Sequence, residues 1–212
     1  MSRAERVKEI LEQTTAIVTS SHIVYTSGRH GESYINKDAV YPHTQETSEL
    51  CQMIAENFAD QDVQVVVGPA LGGIILSQWT AFHLSRITDK EVLGVYAEKQ
   101  ADGTLALTRG YANLVAKKRI LVVEDVLTTG GSVKKVLEAL KSLDAYVIGV
   151  GALCNRGGVT PEQIGATRLD TLINVVMKDW AASECPLCDS GVPINTTVGK
   201  GKEFLAARAN QS

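Results

Sequence analysis

Residues 120–132 read ILVVEDVLTTGGS, and the reading of the fold starts from this string. Ile120, Leu121, Val122 and Val123 form a short apolar run of the kind that makes a strand buried on both faces, as in a parallel sheet. Glu124 and Asp125 then fall at or just beyond the carboxyl end of that strand, the edge at which open α/β sheets bind ligands. Val126 and Leu127 lead into Thr128, Thr129, Gly130, Gly131 and Ser132, which open a helix. Backbone N–H groups, hydroxyl donors and the helix dipole at such a start can hold a phosphate dianion, and glycine lets the backbone approach it closely. Thr and Ser are also ordinary helix caps, and Asp is common in turns. Paired acids, double Thr, double Gly and Ser in one turn nevertheless argue for a phosphate site.

Upstream, residues 67–73, VGPALGG, run from an apolar strand into a turn of small residues, where the backbone at Ala70, Leu71, Gly72 and Gly73 can face a diphosphate. Alone this signal is weak, because strand, glycine turn and helix follow one another in many α/β folds. Leu50, Met53, Ile54 and Phe58 recur at helical spacing before it, and a helix through Ile74 to Leu84 follows. A strand at residues 91–98, a helix over 133–143 and apolar runs at 146–155 and 171–177 complete an alternation. That alternation predicts an α/β fold with a mostly parallel central sheet flanked by helices. Val7, Ile10, Leu11 and Ile17 suggest an amphipathic first helix, and residues 23–41 read as a hairpin or flap. From Trp180 onward, Pro and Gly mark an irregular extension. The expected organisation is a single domain over residues 1–212: a helix and small hood to about 45, a core at about 60–178, and an extension at about 179–212.

The chain has 212 residues, of which 44% are hydrophobic, enough for one sizeable core. Its net charge of -3 argues against nonspecific nucleic-acid binding, which depends on many Lys and Arg contacts to phosphates. No run is long enough to span a bilayer, and the charges interleaved through the first residues do not read as a signal peptide. Cys51, Cys154, Cys185 and Cys188 without a secretion signal fit a reducing compartment, so the expected address is the cytoplasm. Cys185 and Cys188 form one CxxC, half of a structural zinc set. Packing or free thiols is the favoured reading, and a zinc shared between two subunits is the alternative. His30 and His43 form no metal pattern with the acids and read as surface or hydrogen-bonding residues.

At residues 120–132 the chain resembles the motif that binds PRPP (5-phosphoribosyl 1-diphosphate) in type I phosphoribosyltransferases. The resemblance implies that Glu124 and Asp125 bind the ribose hydroxyls, directly or through magnesium and water. It implies that Thr128, Thr129, Gly130, Gly131 and Ser132 hold the 5-phosphate, that Val126 and Leu127 also belong to the PRPP site, and that Ala70, Leu71, Gly72 and Gly73 form the pyrophosphate loop. Mg2+ is the implied cofactor. Carboxylates beside the ribose also favour the positive charge that develops at its anomeric carbon, and Asp125 is alternatively a proton carrier.

Residues 26–36, TSGRHGESYIN, resemble the SGR-containing segment of orotate phosphoribosyltransferases. The likeness continues through YAEKQADGTLALTRGY at 96–111, GVGALCNRGG at 149–158 and the CPLC tail of one bacterial branch, so it covers nearly the whole chain. It implies transfer from PRPP to orotate, giving orotidine 5-monophosphate and pyrophosphate in UMP biosynthesis. Tyr34 and Ile35 would pack near the base, Thr128 would hydrogen-bond to it, and the Arg156 fork would pair with the orotate carboxylate. Thr26 stands where the best-known branch has Lys, with Lys37 nearby, and the catalytic loop has one cation at 98–103, Lys99, where that branch has several. Lys99 is the residue implied to reach the pyrophosphate, with Arg109 in reserve, so the catalytic set is Asp125, Glu124 and Lys99. The family's loop reaches across a dimer, which implies a homodimer here. A transferase for another base and a PRPP-sensing regulator without turnover are the competing readings.

Overall fold

The structure, a computed structural model, describes residues 2–175 and 177–209. They form two compact units, one of residues 2–7 and 41–175, the other of residues 8–40 and 177–209. The chain opens on helix α1 (Arg3–Gln13). Ile17, expected to prolong its apolar stripe, lies beyond a break at Thr15, whose φ of 54° is left-handed. Ile17 instead begins the first of four two-residue strands, β1 (Ile17–Val18), β2 (Ile23–Val24), β3 (His30–Gly31) and β4 (Tyr34–Ile35). The expected flap is thus two antiparallel ladders, β1 with β4 and β2 with β3.

The larger unit carries the alternation read from the sequence. Helix α2 (Thr44–Phe58) precedes strand β5 (Val65–Pro69) and helix α3 (Gly72–Thr88). Strand β6 (Leu93–Lys99), strand β7 (Leu105–Ala106) and the short helix α4 (Tyr111–Val115) come next. Strand β8 (Arg119–Leu127), helix α5 (Gly131–Lys141), strand β9 (Tyr146–Asn155), helix α6 (Pro161–Ile164) and strand β10 (Leu169–Asn174) complete it. The strands form one six-stranded sheet in the order β10-β9-β8-β5-β6-β7, parallel except for β7. The strand expected at 171–177 begins earlier and ends at Asn174, and Val176 lies outside the described residues.

The central position of β5 explains why all five of its residues are buried. Side chains alternate along β8, so Ile120 and Val122 share one face with Val133, Val136, Leu137 and Leu140 of α5 in a single apolar cluster. Helix α2 covers a neighbouring part of the sheet. A Cβ on Gly149 would come within 2.8 Å of the Phe58 ring and one on Gly151 within 2.7 Å of Ile54, so glycine at these alternate positions lets α2 approach β9.

The tail is more ordered than its composition suggests. Strand β11 (Asp179–Trp180) pairs antiparallel with β3, and helices α7 (Pro186–Asp189) and α8 (Gly201–Ala209) follow. The amides of Asn195 and Lys200 donate to the carbonyls of His22 and Val24, each at 2.7 Å, so the segment before α8 runs alongside β2. Among the described residues no helix is long and apolar enough to cross a membrane.

Candidate active site

The carboxyl edge of the sheet opens into a cleft of about 440 Å³. One wall is the turn from β8 into α5, from Val126 through Ser132. Gly130 caps α5 with a φ of +71°, a conformation that costs an ordinary L-residue about 1–2 kcal/mol. A Cβ there would also stand 2.3 Å from Ile164, so the cap is closed to side chains on two counts. The first-turn N–H groups of α5 have no acceptor within the helix, which is the ordinary basis of an anion site.

The turn is held from behind. The amides of Arg156 and Gly157 both donate to the Leu127 carbonyl, at 2.9 and 3.0 Å. A Cβ on Gly157 would fall 1.6 Å from the Thr128 carbonyl oxygen, so this contact admits only glycine. Asn155, buried at the end of β9, exchanges two hydrogen bonds with the Val159 backbone and pins the NRGG turn.

The paired acids occupy opposite faces of β8, as the strand's period of two requires. Glu124 points with Ile120 and Val122 toward the α5 side and lines the cleft. Its Oε1 accepts the Asp125 amide at 3.0 Å. Asp125 does not line that cleft. Its Oδ2 accepts the Tyr41 hydroxyl at 2.9 Å, and its Oδ1 accepts the Val126 amide at 2.7 Å. A Cβ on Gly72 would lie 2.1 Å from Asp125 Oδ2 and 2.5 Å from the Tyr41 oxygen, so the start of α3 is packed against this carboxylate.

Of the four residues expected to face a diphosphate, Ala70 lines the cleft, together with Pro69. Its amide donates to the Ala97 carbonyl at 2.9 Å, and the peptide bond between Ala70 and Leu71 is cis. Leu71 is 82% exposed. Gly72 and Gly73 begin α3 and are buried, Gly73 against the backbone of Gly68. They serve close packing at the turn.

The segment expected to be the catalytic loop is a short hairpin, with Glu98 and Lys99 of β6 paired with Ala106 and Leu105 of β7. Asp102 closes its tip by accepting the Thr104 amide and hydroxyl at 2.9 and 2.6 Å. Lys99, Gly103 and Leu105 line the cleft. Arg109 is directed elsewhere, onto Glu98 at 2.8 Å, and its guanidinium with the Thr108 hydroxyl holds the Glu98 carboxyl below its ordinary pKa. A second cation that the sequence reading passed over, Lys135 of α5, also lines the cleft and donates to the Gly103 carbonyl at 2.6 Å. Its signal was available, since it lies in the first turns of the helix opened by the glycines. Tyr41 carried no such signal, because 84 positions separate it from Asp125.

Thr128 lines the cleft, whereas Arg156 follows β9 and is fixed by its backbone to the turn between β8 and α5. Tyr34 and Ile35 belong to the smaller unit, on β4. A carboxylate on one wall facing a helix start and two lysines suits a magnesium-bound polyphosphate, because this ion takes a few carboxylate or phosphate oxygens and keeps water.

A parallel sheet, an acid pair at the end of a central strand and a glycine-capped helix start fit a phosphoribosyltransferase, and the chain matches the phosphoribosyl transferase domain family over residues 37–187. It is 39% identical over 189 residues to an orotate phosphoribosyltransferase of Desulforamulus reducens, covering 89% of this chain and 93% of that one. The chain belongs to the orotate phosphoribosyltransferase family. Solved structures share its fold. The Mycobacterium tuberculosis orotate phosphoribosyltransferase in complex with PRPP gives a TM-score of 0.61 at 23% identity, covering 81% of this chain and 95% of that one. An adenine phosphoribosyltransferase of Thermoanaerobacter pseudethanolicus gives 0.60 at 15% identity, covering 80% and 99%. The fold therefore does not choose the base.

Proposed function

We propose that the chain transfers the phosphoribosyl group of PRPP to a ring nitrogen of orotate, giving orotidine 5-monophosphate and pyrophosphate in UMP biosynthesis. The observation that carries this reading is the cleft in which Glu124, Lys135 and the start of α5 converge. The first turn of α5, with Thr128, Thr129 and Ser132, holds the 5-phosphate. The turn from Ala70 through Gly73 receives the diphosphate on the backbone N–H groups after Ala70, whose own amide is taken by the Ala97 carbonyl. Lys99, with Lys135 beside it, compensates the charge on the departing pyrophosphate as the anomeric C–O bond breaks and the C–N bond forms. Glu124 faces the positive charge that develops at that carbon. Asp125 keeps its place under the ribose through Tyr41 and the Val126 amide. Arg156 takes the orotate carboxylate in its two-pronged guanidinium.

Glu124 and Asp125 would hold magnesium, directly or through water, and the ion when bound would neutralise charge on the diphosphate and orient the ribose hydroxyls. The working form is a homodimer in the cytoplasm, with the β6–β7 hairpin contributed across the interface, a reading that rests on the family resemblance. The test is loss of orotate absorbance with PRPP, with and without magnesium. Orotidine 5-monophosphate should form with the ion present and stop when a chelator removes it. Undiminished turnover in chelator would remove magnesium from the account, and no product under either condition would remove the reaction.

A further inference from the structure

The smaller unit contains a side-chain cluster with no part in the transfer reaction. His22, beside β2, and His30, on β3, meet Cys185, just before α7, and Cys188, within it, and the four ligand atoms lie within 4.8 Å of one another. Three of the four residues are buried outright, Cys185 and His30 completely. Cys185 Sγ and Cys188 Sγ stand 3.6 and 3.7 Å from His22 Nε2, and Cys188 Sγ stands 3.4 Å from His30 Nδ1. A tetrahedral zinc with ordinary Zn–S and Zn–N bonds sets sulfur-to-nitrogen separations of roughly 3.5–3.6 Å. The two nitrogens, 2.9 Å apart, would separate by about 0.4 Å to complete that tetrahedron.

The surroundings support ligation. His22 Nδ1 lies 2.7 Å from the Val192 carbonyl, which can only accept, so Nδ1 is the donor there and Nε2 is the nitrogen turned to the cluster. The Phe204 ring packs edge-on against His30, with ring centres 4.9 Å apart, and walls the site with carbon. His30 Nε2 has no hydrogen-bond partner among the described residues. We propose that His22, His30, Cys185 and Cys188 bind one zinc ion within a single chain, as a closed structural site that ties the β2–β3 hairpin to the C-terminal extension. The set is complete in one copy, so zinc need not be shared between two CxxC pairs, and His30 is a buried ligand and not a surface histidine.

The fold gives the ion a task. The large buried apolar side chains of this unit are Ile10, Leu11, Ile23, Val24, Ile35 and Val40, a small core whose strands are two residues long. Units with so little core commonly depend on a metal or a disulfide. All four ligands are protein side chains and no coordination position is left for substrate, which marks a structural site and not a catalytic one.

The test is metal analysis of the full chain, purified without a polyhistidine tag and with thiols reduced, followed by replacement with cobalt. About one zinc per chain is expected. The cobalt form should show the visible bands of a tetrahedral ion with thiolate-to-metal charge transfer. Cys188→Ser and His22→Gln should each lose the metal, and the cobalt spectrum of the unaltered chain keeps the test decisive if either variant unfolds. Less than about a tenth of a zinc per chain after zinc loading, or a cobalt spectrum without thiolate character, would overturn the proposal.

Discussion

At the residue scale, the acid pair divides its work because a strand presents neighbours to opposite faces. Glu124 reaches the cleft, and Asp125 is committed to Tyr41 and to its neighbour's amide. Glu124→Gln keeps the size and loses the charge, so turnover should fall about a hundredfold with the circular dichroism unchanged. An active Glu124→Gln would place the charge stabilisation elsewhere. Gly72→Ala acts from the other face. Its methyl would meet Asp125 Oδ2 at 2.1 Å, so the carboxylate must move and turnover should drop at least about tenfold, again read in steady-state kinetics.

Thiol chemistry gives a pH-dependent reading at the same scale. Burial pushes the Cys51 and Cys154 thiols up to about 12. A raised thiol pKa keeps the reactive thiolate scarce until the pH nears that value, so neither residue should be alkylated in the native chain at pH ~8. Rapid labelling of Cys51 or Cys154 by iodoacetamide, located by peptide mass spectrometry, would contradict their placement. The turn from β8 into α5 was legible because its residue types are unusual together, whereas Tyr41 and His22 were not. Their partners are distant in sequence, and single Tyr and His residues have many ordinary roles.

At the element scale, long strands and helices were legible because burial imposes a period on them. Strands β5, β8 and β9 and helices α2, α3 and α5 lie where apolar runs and helical spacing put them, with ends differing by a few residues. The two-residue strands are too short to carry a period, and α8 buries only Gly201, so its sequence has no apolar stripe to read. Helix α5 depends most on its cap. Gly130→Ala places a methyl 2.3 Å from Ile164 at a φ of +71°, so it should cost about 1–2 kcal/mol from the backbone alone, with packing added. The urea midpoint reads this loss, and an unchanged midpoint would show that the cap is not under this constraint.

At the scale of the whole molecule, the hairpin that carries Lys99 separates two arrangements. In the single chain, Lys99, Gly103 and Leu105 line the same chain's cleft. In the proposed dimer the hairpin serves the partner's cleft. Mixing inactive Lys99→Ala with inactive Glu124→Gln should then restore activity, because one site in each mixed dimer receives an intact hairpin and an intact Glu124. No recovery in dimers shown to have exchanged would assign the hairpin to its own chain. Family membership was legible across nearly the whole chain. The departures at Thr26 and in the hairpin are where base preference needs measurement, since the same fold occurs in an adenine phosphoribosyltransferase.

The most direct test of the central claim is pyrophosphate release from PRPP and magnesium, with orotate, uracil, adenine, hypoxanthine, guanine and xanthine supplied separately. Release with orotate alone is the expected result, and it would show that a hairpin with Lys99 and its neighbour Lys135 is sufficient. Release with a purine and not with orotate would keep the fold and the phosphate site but contradict the assigned base, and silence with every base would contradict turnover itself.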